Sequence, residues 1–444
     1  MEFIIKIGQF LLSLSFLIVL HEFGHYLPAR LFKTRVEKFF LFFDVKFALF
    51  QKKIGETIYG IGWLPLGGYV KISGMIDESM DTEAMAEEPK EWEFRSKPAW
   101  QRLIIMLGGV TVNFLLAWLI YIGMMAVYGE TYISNDNMKD GYEISNPLMQ
   151  EMGFQSGDKV VSMDGKVYEK YTDIRANFIL ANEVVINRNG SEKTIALPQD
   201  FLGRLTDAED RSTFELRFPF IIDSFNESSL NKEADINDGD QVIALNGIPI
   251  KFYEEIRALT PKYKGQTLEA TIVRDGAKRV VNLKIDEDGK LGIYSKSSIS
   301  FFNEQGLITS KEYSLGESIG VGSTKFVDKM GWYWGQLQKI FTPSTGAYKG
   351  VGGFKAIYDI FPDSWDWENF WSITALLSIM LGVLNLLPIP ALDGGHVTFL
   401  LYEMVTGRKP GDKFLEYAQV VGFFLLIALV LFANGNDIYR AIFK

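Results

Sequence analysis

Four long apolar stretches constrain this chain more than any other feature of its sequence. A helix needs about 20 predominantly apolar residues to cross the hydrocarbon core of a bilayer. Each stretch meets or approaches this length, and a long polar segment separates the second from the third. The stretches cover residues 3–32, 103–128, 370–387 and 417–432. The sequence therefore predicts a polytopic α-helical membrane protein with four transmembrane helices.

Lys and Arg residues are concentrated in two of the connecting segments. One is the segment over 33–98, and the other is the short link over 401–416, which contains Arg408, Lys409 and Lys413. Such segments remain on the cytoplasmic side of a membrane. We therefore expect both to be cytoplasmic, with both termini and the long middle segment outside. The first stretch lacks a basic amino-terminal region and a cleavage site, so we interpret it as a retained helix.

The composition excludes several kinds of site. The chain contains no cysteine, which rules out disulfide bonds, cysteine-ligated zinc and a thiol nucleophile. Its net charge of −10, without a basic stripe that includes aromatic residues, argues against nucleic-acid binding. The three histidines are His21, His25 and His396. All three fall in two short segments that carry the candidate chemistry.

The first of these segments is His21-Glu22-Phe23-Gly24-His25, an H-E-x-x-H pattern within the first apolar stretch. Because an α-helix has 3.6 residues per turn, His21 and His25 share one face and can bind one zinc ion. Glu22 lies beside them, where it can act as a general base. The alternative is a polar patch where the helix meets the cytoplasm, but that leaves the spacing of the histidines unexplained.

The second segment supplies a candidate for the third zinc ligand. Pro388 and Pro390 cannot continue a regular helix, so the backbone must break at membrane depth. Asp393 follows this break, and a carboxylate in such a position is a candidate functional group. Its distance along the third span matches that of the two histidines along the first. His396 is the alternative ligand, although we expect it to lie beyond the cavity.

Asn385 lies before the break, still within the third span. Its amide would lack hydrogen-bond partners in lipid unless it faced a cavity. There it could donate to an oxyanion or hold the backbone of a substrate. Equally, it could bind backbone groups that the two prolines leave unpaired.

The polar middle of the chain contains an internal repeat. Residues Gly153–Ile174 align without gaps on Asp235–Ile256, and each copy has a Gly-Asp turn, an alternating strand, a tight hairpin turn and the start of a helix. This pattern resembles PDZ domains of bacterial proteases. We expect two external β-rich PDZ-like domains, over 129–217 and 218–305. An unrelated duplicated β-domain is the alternative.

Two further segments have candidate roles. Gly68, Tyr69, Val70 and Lys71 alternate like an edge strand that could bind a substrate by strand addition, or could only pack over the active site. Apolar residues at helical spacing predict an amphipathic helix within 306–368, either on the outer leaflet or docked on the protein. They are Leu315, Ile319, Phe326, Met330, Tyr333, Leu337 and Ile340.

These motifs together resemble the site-2 protease family of intramembrane zinc metalloproteases. H-E-x-x-H in a first span and N-x-x-P-x-P-x-L-D-G in a later span are its metal motifs, and this chain has both. Residues 65–71 look like its membrane-associated β-hairpin, and residues 108–114 are similar to the G-x-x-x-N segment of its second span. The paired PDZ-like repeats are typical of the regulator-of-sigma-E protease branch (RseP-type). The resemblance covers nearly the whole chain.

The resemblance implies a function and a set of site residues. His21, His25 and Asp393 would bind Zn²⁺, Glu22 would be the general base and acid, and Asn385 would assist the substrate or transition state. Such enzymes lie in the bacterial inner membrane and cleave single-pass membrane proteins, such as anti-sigma factors, and remnant signal peptides. The PDZ-like domains would exclude bulky substrates or bind peptide termini.

The resemblance also implies a domain order. From the amino terminus, we expect a first span with H-E-x-x-H, a cytoplasmic hairpin region, a second span, two PDZ-like domains, an amphipathic helix with its linker, a third span, a cytoplasmic link and a fourth span. Their predicted ranges are 1–32, 33–98, 99–128, 129–217, 218–305, 306–368, 369–400, 401–416 and 417–444.

Two other functions remain open on the residues alone. One is a zinc membrane protease whose active site lies in a cytosolic domain, which would need a further ligand on a soluble helix. The other is a catalytically silent membrane scaffold that recruits partners through its PDZ-like pair and binds no metal.

Overall fold

The computed structural model describes residues 2–75 and 88–443. Part of the hairpin region predicted over 33–98 therefore lies outside the described residues. The chain divides into two compact units. Unit 1 comprises Met1–Gly129, Glu312–Gln338 and Lys349–Lys444, and unit 2 comprises Glu130–Lys311 and Lys339–Tyr348.

The amino-terminal part of unit 1 consists of two long helices and the strands between them. These are α1 (Glu2–Leu31), β1 (Val36–Ile54), β2 (Thr57–Ile72) and α2 (Ala99–Val127). Both helices are long and apolar enough to span a membrane. Both strands bend, and residues 36–41 pair with residues 57–61 on one side and with residues 68–72 on the other. Among the described residues, 68–72 thus form one edge of the sheet, and 48–54 form the other.

The described part of unit 2 contains eighteen short helices and strands that build two successive β-rich cores. The elements are β3 (Glu130–Ile133), β4 (Tyr142–Glu143), α3 (Pro147–Glu151), β5 (Lys159–Met163), α4 (Tyr171–Phe178), β6 (Glu183–Arg188), β7 (Ser191–Ala196), α5 (Phe201–Asp207), β8 (Glu215–Leu216), β9 (Ile222–Phe225), β10 (Gln241–Leu245), β11 (Ile248–Pro249), α6 (Tyr253–Leu259), β12 (Thr267–Arg274), β13 (Ala277–Lys284), β14 (Ile293–Ser295), α7 (Ile299–Glu304) and β15 (Ile308–Lys311). One core lies between Met138 and Phe214, and the other lies between Phe220 and Ile293.

The internal repeat of the sequence is also a repeat of the structure. In the first copy, Asp158 is buried and accepts hydrogen bonds from Arg188 at 2.6 and 2.8 Å. In the second copy, Asp240 is buried and accepts hydrogen bonds from Arg274 at 2.9 and 2.7 Å. Each aspartate follows a glycine with positive φ and directly precedes a strand, β5 in the first copy and β10 in the second. Charge-assisted pairs therefore fix the same turn in both copies.

The remaining elements complete unit 1, except that the last residues of α8 belong to unit 2. They are α8 (Leu315–Ile340), α9 (Phe354–Asp359), α10 (Trp367–Asn385), α11 (Asp393–Thr406) and α12 (Asp412–Phe443). Four helices of the described chain are long and apolar enough to span a membrane, namely Glu2–Leu31, Ala99–Val127, Trp367–Asn385 and Lys413–Ile442. The prediction of a polytopic helical membrane protein is thus confirmed.

Two predicted boundaries need correction. The linker does not begin at residue 306, because β15 pairs with β3 and so belongs to unit 2. The link predicted over 401–416 does not begin at residue 401, because α11 continues to Thr406. The segment predicted over 369–400 contains α10 and the start of α11, with the expected backbone break between them.

Helix α8 contacts α2 through small residues and through Phe326 of its apolar stripe, whose ring packs on Phe114. Gly322 lies so close to Ile122 that an added Cβ would come within 2.6 Å of the Ile122 Cα. Trp118 donates a hydrogen bond to Ser323 over 2.8 Å. By contrast, Leu315 and Ile319 of the predicted stripe are exposed. These contacts within unit 1 support the interpretation that α8 docks on the protein, rather than the one that places it on the outer leaflet.

Candidate metal centre

Three side chains from two distant parts of the chain meet inside unit 1. Nε2 of His21 lies 3.3 Å from Nε2 of His25. Oδ2 of Asp393 lies 3.4 Å from the first of these nitrogens and 3.3 Å from the second. Both histidines are buried. The structure therefore brings together the residues that the sequence singled out as zinc ligands.

The three distances fit a single zinc ion. Zinc–nitrogen and zinc–oxygen bonds are about 2.0–2.2 Å long, and tetrahedral ligand atoms on such bonds lie about 3.3–3.5 Å apart. Moreover, Oδ2 of Asp393 is buried and has no hydrogen-bond partner among the described residues. A buried carboxylate oxygen without a partner is costly unless a cation binds it. The donor set, two imidazoles and one carboxylate, is one that zinc accepts in catalytic sites.

Glycines of α1 and α2 allow the two helices to approach closely at this centre. A Cβ on Gly108 would lie 1.9 Å from the carbonyl oxygen of Gly24, the second variable residue of H-E-x-x-H. A Cβ on Gly109 would lie 2.4 Å from Nε2 of His25 and 2.6 Å from Cε1 of His21. Small residues permit such packing between membrane helices. The G-x-x-x-N segment thus leaves room for both imidazoles.

Helix α2 also provides partners for the outer nitrogens of both histidines. Nδ1 of His25 lies 2.9 Å from the backbone oxygen of Ile105, and Nδ1 of His21 lies 3.0 Å from the side-chain amide of Asn113. Histidines that bind a metal commonly use their second ring nitrogen in this way. Sequence reasoning did not assign either contact. The only signal available was the similarity of residues 108–114 to a family segment.

The break between α10 and α11 positions Asp393. Ala391 has φ +79°, a left-handed conformation that is uncommon for a residue other than glycine. Its N–H donates a hydrogen bond to Oε1 of Gln419 in α12 over 3.2 Å. Gly422 permits this contact, since a Cβ there would lie 1.7 Å from the oxygen of Pro390. The broken backbone is thus satisfied and fixed by protein, as membrane depth requires.

The other predicted residues lie around the centre. Nδ2 of Asn385 is 3.4 Å from Nε2 of His21. The side chain of Glu22 is within hydrogen-bonding reach of the backbone of Val70. His396, the alternative ligand, lines the same cavity but does not belong to the cluster formed by the described residues His21, His25 and Asp393.

A cavity of about 860 Å³ opens onto the centre. Its walls include Glu22, Asn385 and the edge residues Gly68, Tyr69, Val70 and Lys71. Gly68 packs directly on α1, because a Cβ there would lie 2.4 Å from a methyl carbon of Ile18. The predicted substrate-binding segment and the predicted catalytic residues therefore face one space.

A charged network forms another part of this wall. Lys38 donates a hydrogen bond to Asp44 over 3.0 Å, and the hydroxyl of Tyr69 donates to the same carboxylate over 2.8 Å. Burial alone would raise the pKa of Asp44, but the hydrogen bonds from Lys38 and Tyr69 outweigh it and lower the pKa below its ordinary value. Asp44 is therefore ionised at neutral pH and holds the wall in place.

Comparison with known proteins agrees with this geometry. The sequence pattern of peptidase family M50 matches residues 9–429. The regulator of sigma-E protease RseP of Escherichia coli is 25% identical, over 99% of this chain and 100% of that protein. A protein of Thermotoga maritima named "Putative zinc metalloprotease" is 27% identical, over 98% of this chain and 99% of that protein.

The family match extends across all four candidate spans, and the relatives align over nearly their full lengths. The resemblance to site-2 proteases, the enzymatic class and the zinc cofactor predicted from the sequence are confirmed. The chain therefore belongs to peptidase family M50, the site-2 protease family, and is a zinc metalloendopeptidase.

Proposed function

We propose that this enzyme cleaves transmembrane segments of single-pass membrane proteins in regulated intramembrane proteolysis. Its substrates would be regulators of the anti-sigma-factor type and remnant signal peptides. The name of the Escherichia coli relative, regulator of sigma-E protease, supports this substrate class. Two of the three clustered residues, His21 and His25, lie on a membrane-length helix, and this position supports a cleavage site within or at the edge of the bilayer.

The observation that carries the proposal is the meeting of His21, His25 and Asp393. Their donor atoms lie 3.3–3.4 Å apart although 368 residues separate His25 from Asp393 (393 − 25). We assign these three residues as the zinc ligands. Zinc at this centre supplies Lewis acidity, which polarises a peptide carbonyl and acidifies water.

Glu22 is the general base and acid in this mechanism. It lies next to His21 in α1 and lines the cavity, so its carboxylate can take a proton from the attacking water and return it to the leaving amine. Asn385 is close enough to the centre to donate its amide N–H to the developing oxyanion or to the substrate backbone.

The edge residues Gly68–Lys71 hold the substrate in extended form. A transmembrane helix shields its peptide carbonyls, so it must unwind before it is cut. Strand addition to an open sheet edge replaces the lost helical hydrogen bonds. Support comes from residues 68–72, which pair with residues 36–41 and line the cavity that contains the centre.

The two β-rich repeats of unit 2 act as PDZ-like domains outside the bacterial inner membrane. They exclude substrates with bulky outer domains, so that cleavage follows removal of those domains by another protease. Binding of peptide or cleaved-substrate termini is a second role of the same fold. The repeated strand–helix pattern and the Lys and Arg residues of the predicted cytoplasmic segments support this arrangement.

Two variants of the full-length protein test the proposal. Asp393→Ala removes a ligand, so the purified protein should lose its zinc and stop cleaving a truncated single-span substrate. Glu22→Gln removes the base but no ligand, so it should retain zinc and lose cleavage. Elemental analysis of zinc per protein and a gel assay of substrate cleavage measure both outcomes.

A conservative variant outside the centre, Ser13→Ala, serves as the control. Ser13 of α1 makes a buried 2.9 Å hydrogen bond to Thr374 of α10, so its loss perturbs the helix bundle but no predicted ligand. It should retain both zinc and activity. Full zinc and full cleavage in Asp393→Ala would refute the ligand assignment, and unchanged cleavage in Glu22→Gln would remove Glu22 from the mechanism.

A further inference from the structure

Asn113 is a buried polar residue for which the proposed mechanism has no role. It lies in the second membrane helix, and its solvent-exposed fraction is 0%. Nδ2 of its side-chain amide is 3.0 Å from Nδ1 of His21. Its Oδ1 is buried and has no hydrogen-bond partner among the described residues. An amide is costly at such a place unless it has a function.

We propose that Asn113 is a positioning residue that accepts a hydrogen bond from Nδ1–H of His21 and so keeps Nε2 of that histidine free to bind zinc. This inference rests on the proposed function, since it takes His21 as a zinc ligand. It goes further by assigning the residue that selects the tautomer of that ligand.

The tautomer matters because a neutral imidazole has one N–H and one lone pair. Nε2 of His21 is the nitrogen that faces His25 and Asp393. If Nδ1 lacked the proton, Nε2 would carry it, and the centre would receive an N–H where it needs a lone pair. A group that accepts from Nδ1–H removes this competing tautomer.

The second histidine provides an internal comparison. Nδ1 of His25 lies 2.9 Å from the backbone oxygen of Ile105, and a carbonyl oxygen can only accept. His25 must therefore carry its proton on Nδ1 when it makes this bond. An asparagine can accept or donate, depending on which end of its amide faces the imidazole, and a half-turn exchanges the two ends. The structure has Nδ2 of Asn113 toward His21. The lone pair required on Nε2 of His21 selects the half-turned orientation, in which Oδ1 of Asn113 faces His21.

The backbone around Asn113 is held firmly enough to position the amide. Its carbonyl oxygen accepts a 2.8 Å hydrogen bond from the hydroxyl of Ser378 in α10. The neighbouring Gly109, one turn earlier in α2, is in close contact with both imidazoles. The helix backbone that carries Asn113 is thus fixed next to the metal centre.

Two substitutions of nearly equal shape test the direction of the hydrogen bond in the full-length protein. An aspartate carboxylate accepts as Oδ1 does, whereas leucine neither accepts nor donates. We expect Asn113→Asp to bind zinc within a few-fold of the wild type and Asn113→Leu to bind it about 10–100-fold more weakly. Competition with a chelator of known affinity measures zinc binding without reference to activity.

Cobalt provides a second readout. The chain contains no cysteine and only one histidine, His396, outside the centre, so visible absorption by bound Co²⁺ reports this site. Asn113→Asp should keep the tetrahedral spectrum of the wild type, and Asn113→Leu should lose or alter it. Ser13→Ala is the matched control, because it removes a different buried hydrogen bond of the bundle and should change neither zinc affinity nor the spectrum.

The outcomes separate this inference from the proposed function. Equal loss of zinc in Asn113→Asp and Asn113→Leu would show that the amide donates to His21. Wild-type zinc affinity in Asn113→Leu would show that the amide neither donates nor accepts there. Either result overturns the inference but leaves the assignment of the zinc ligands intact. Zinc that survives Asp393→Ala would instead refute the ligand set. Thermal unfolding of the metal-free protein shows whether Asn113→Leu folds. If it does not fold, a loss of zinc affinity of more than about tenfold in Asn113→Asp is enough to overturn the inference.

Discussion

Gly109 of α2 lies against both imidazoles of the candidate metal centre. We predict that Gly109→Ala loses most of its zinc and its peptidase activity. The added Cβ would lie 2.4 Å from Nε2 of His25 and 2.6 Å from Cε1 of His21, and both imidazoles are buried, so at least one ligand must move. Zinc content and cleavage of a single-span substrate measure the effect.

Gly123→Ala in the same helix is the matched control. No atom of the described residues lies within 4 Å of the position that its Cβ would take. Both substitutions favour helix formation by the same amount, about 1 kcal/mol, so only the contact with the imidazoles differs. Normal zinc content in Gly109→Ala would mean that the centre can shift without loss, and the close packing would then not be essential.

The candidate metal ligands were predictable from the sequence because spacing along the chain fixes where their side chains lie. His21 and His25 are four residues apart on one helix, and Asp393 follows a proline pair that no span can contain as regular helix. The partners of the outer nitrogens, Ile105 and Asn113, were not predictable in the same way. One is a backbone group, and both depend on how α1 packs on α2.

At the scale of elements, the position of residues 68–71 on the cavity wall leads to a cross-linking prediction. Because the chain has no cysteine, a single cysteine at Lys71→Cys in a Glu22→Gln background is the only thiol. We expect it to form a disulfide with a cysteine placed near the scissile bond of a single-span substrate. A non-reducing gel detects the cross-linked product.

The opposite edge of the same sheet provides the control. Gln51 belongs to residues 48–54, which form the other edge and pair with residues 57–62. Gln51→Cys should therefore give little cross-linked product under the same conditions. Equal cross-linking at both edges would contradict the proposal that residues 68–71 bind the substrate.

Helices were predicted well because their apolar length is a local property of the sequence, and the spans at 3–32 and 103–128 lie close to α1 and α2. Elements whose pairing partners are distant in the sequence were not predicted well. Strand β15 pairs with β3, 178 residues earlier (308 − 130), and no local pattern marks it as part of unit 2. Arg188 and Arg274 were missed because they follow their aspartates by 30 and 34 residues, outside the gap-free repeat.

At the scale of the whole molecule, the two compact units should respond to different perturbations. We predict that Asp240→Asn speeds hydrogen exchange in β10, β12 and β13 while leaving the zinc content unchanged. Asp240 is buried and accepts two hydrogen bonds from Arg274, and such bonds to a charged group are worth about 1.5–3 kcal/mol. Mass spectrometry of the full-length protein measures exchange by segment.

Low pH should speed hydrogen exchange in the same strands as Asp240→Asn does. The hydrogen bond from Arg274 lowers the pKa of Asp240, so the ionised form stabilises the folded repeat. This contribution is fully present above about pH 4, the ordinary range of an aspartate, and is lost as the pH falls through the lowered pKa. Asp240→Asn should therefore flatten the acid dependence of exchange in these strands.

A zinc chelator is the reciprocal control, since the metal cluster lies wholly within unit 1. Chelation should stop cleavage and leave exchange in β10, β12 and β13 unchanged. Loss of zinc in Asp240→Asn would contradict the independence of the two units. The division itself was predictable only in part, because the short segment 339–348 returns to unit 2 after most of α8.

The donor set around the centre also has an electrical consequence. In the proposed centre, zinc would bring two positive charges, Asp393 and an ionised Glu22 would together bring two negative charges, and the imidazoles would be neutral. A net charge in a medium of low dielectric constant costs several kcal/mol. Because the charges of the metal ion and of the two carboxylates would cancel, the centre could lie among apolar helices without a further counter-ion from the solvent.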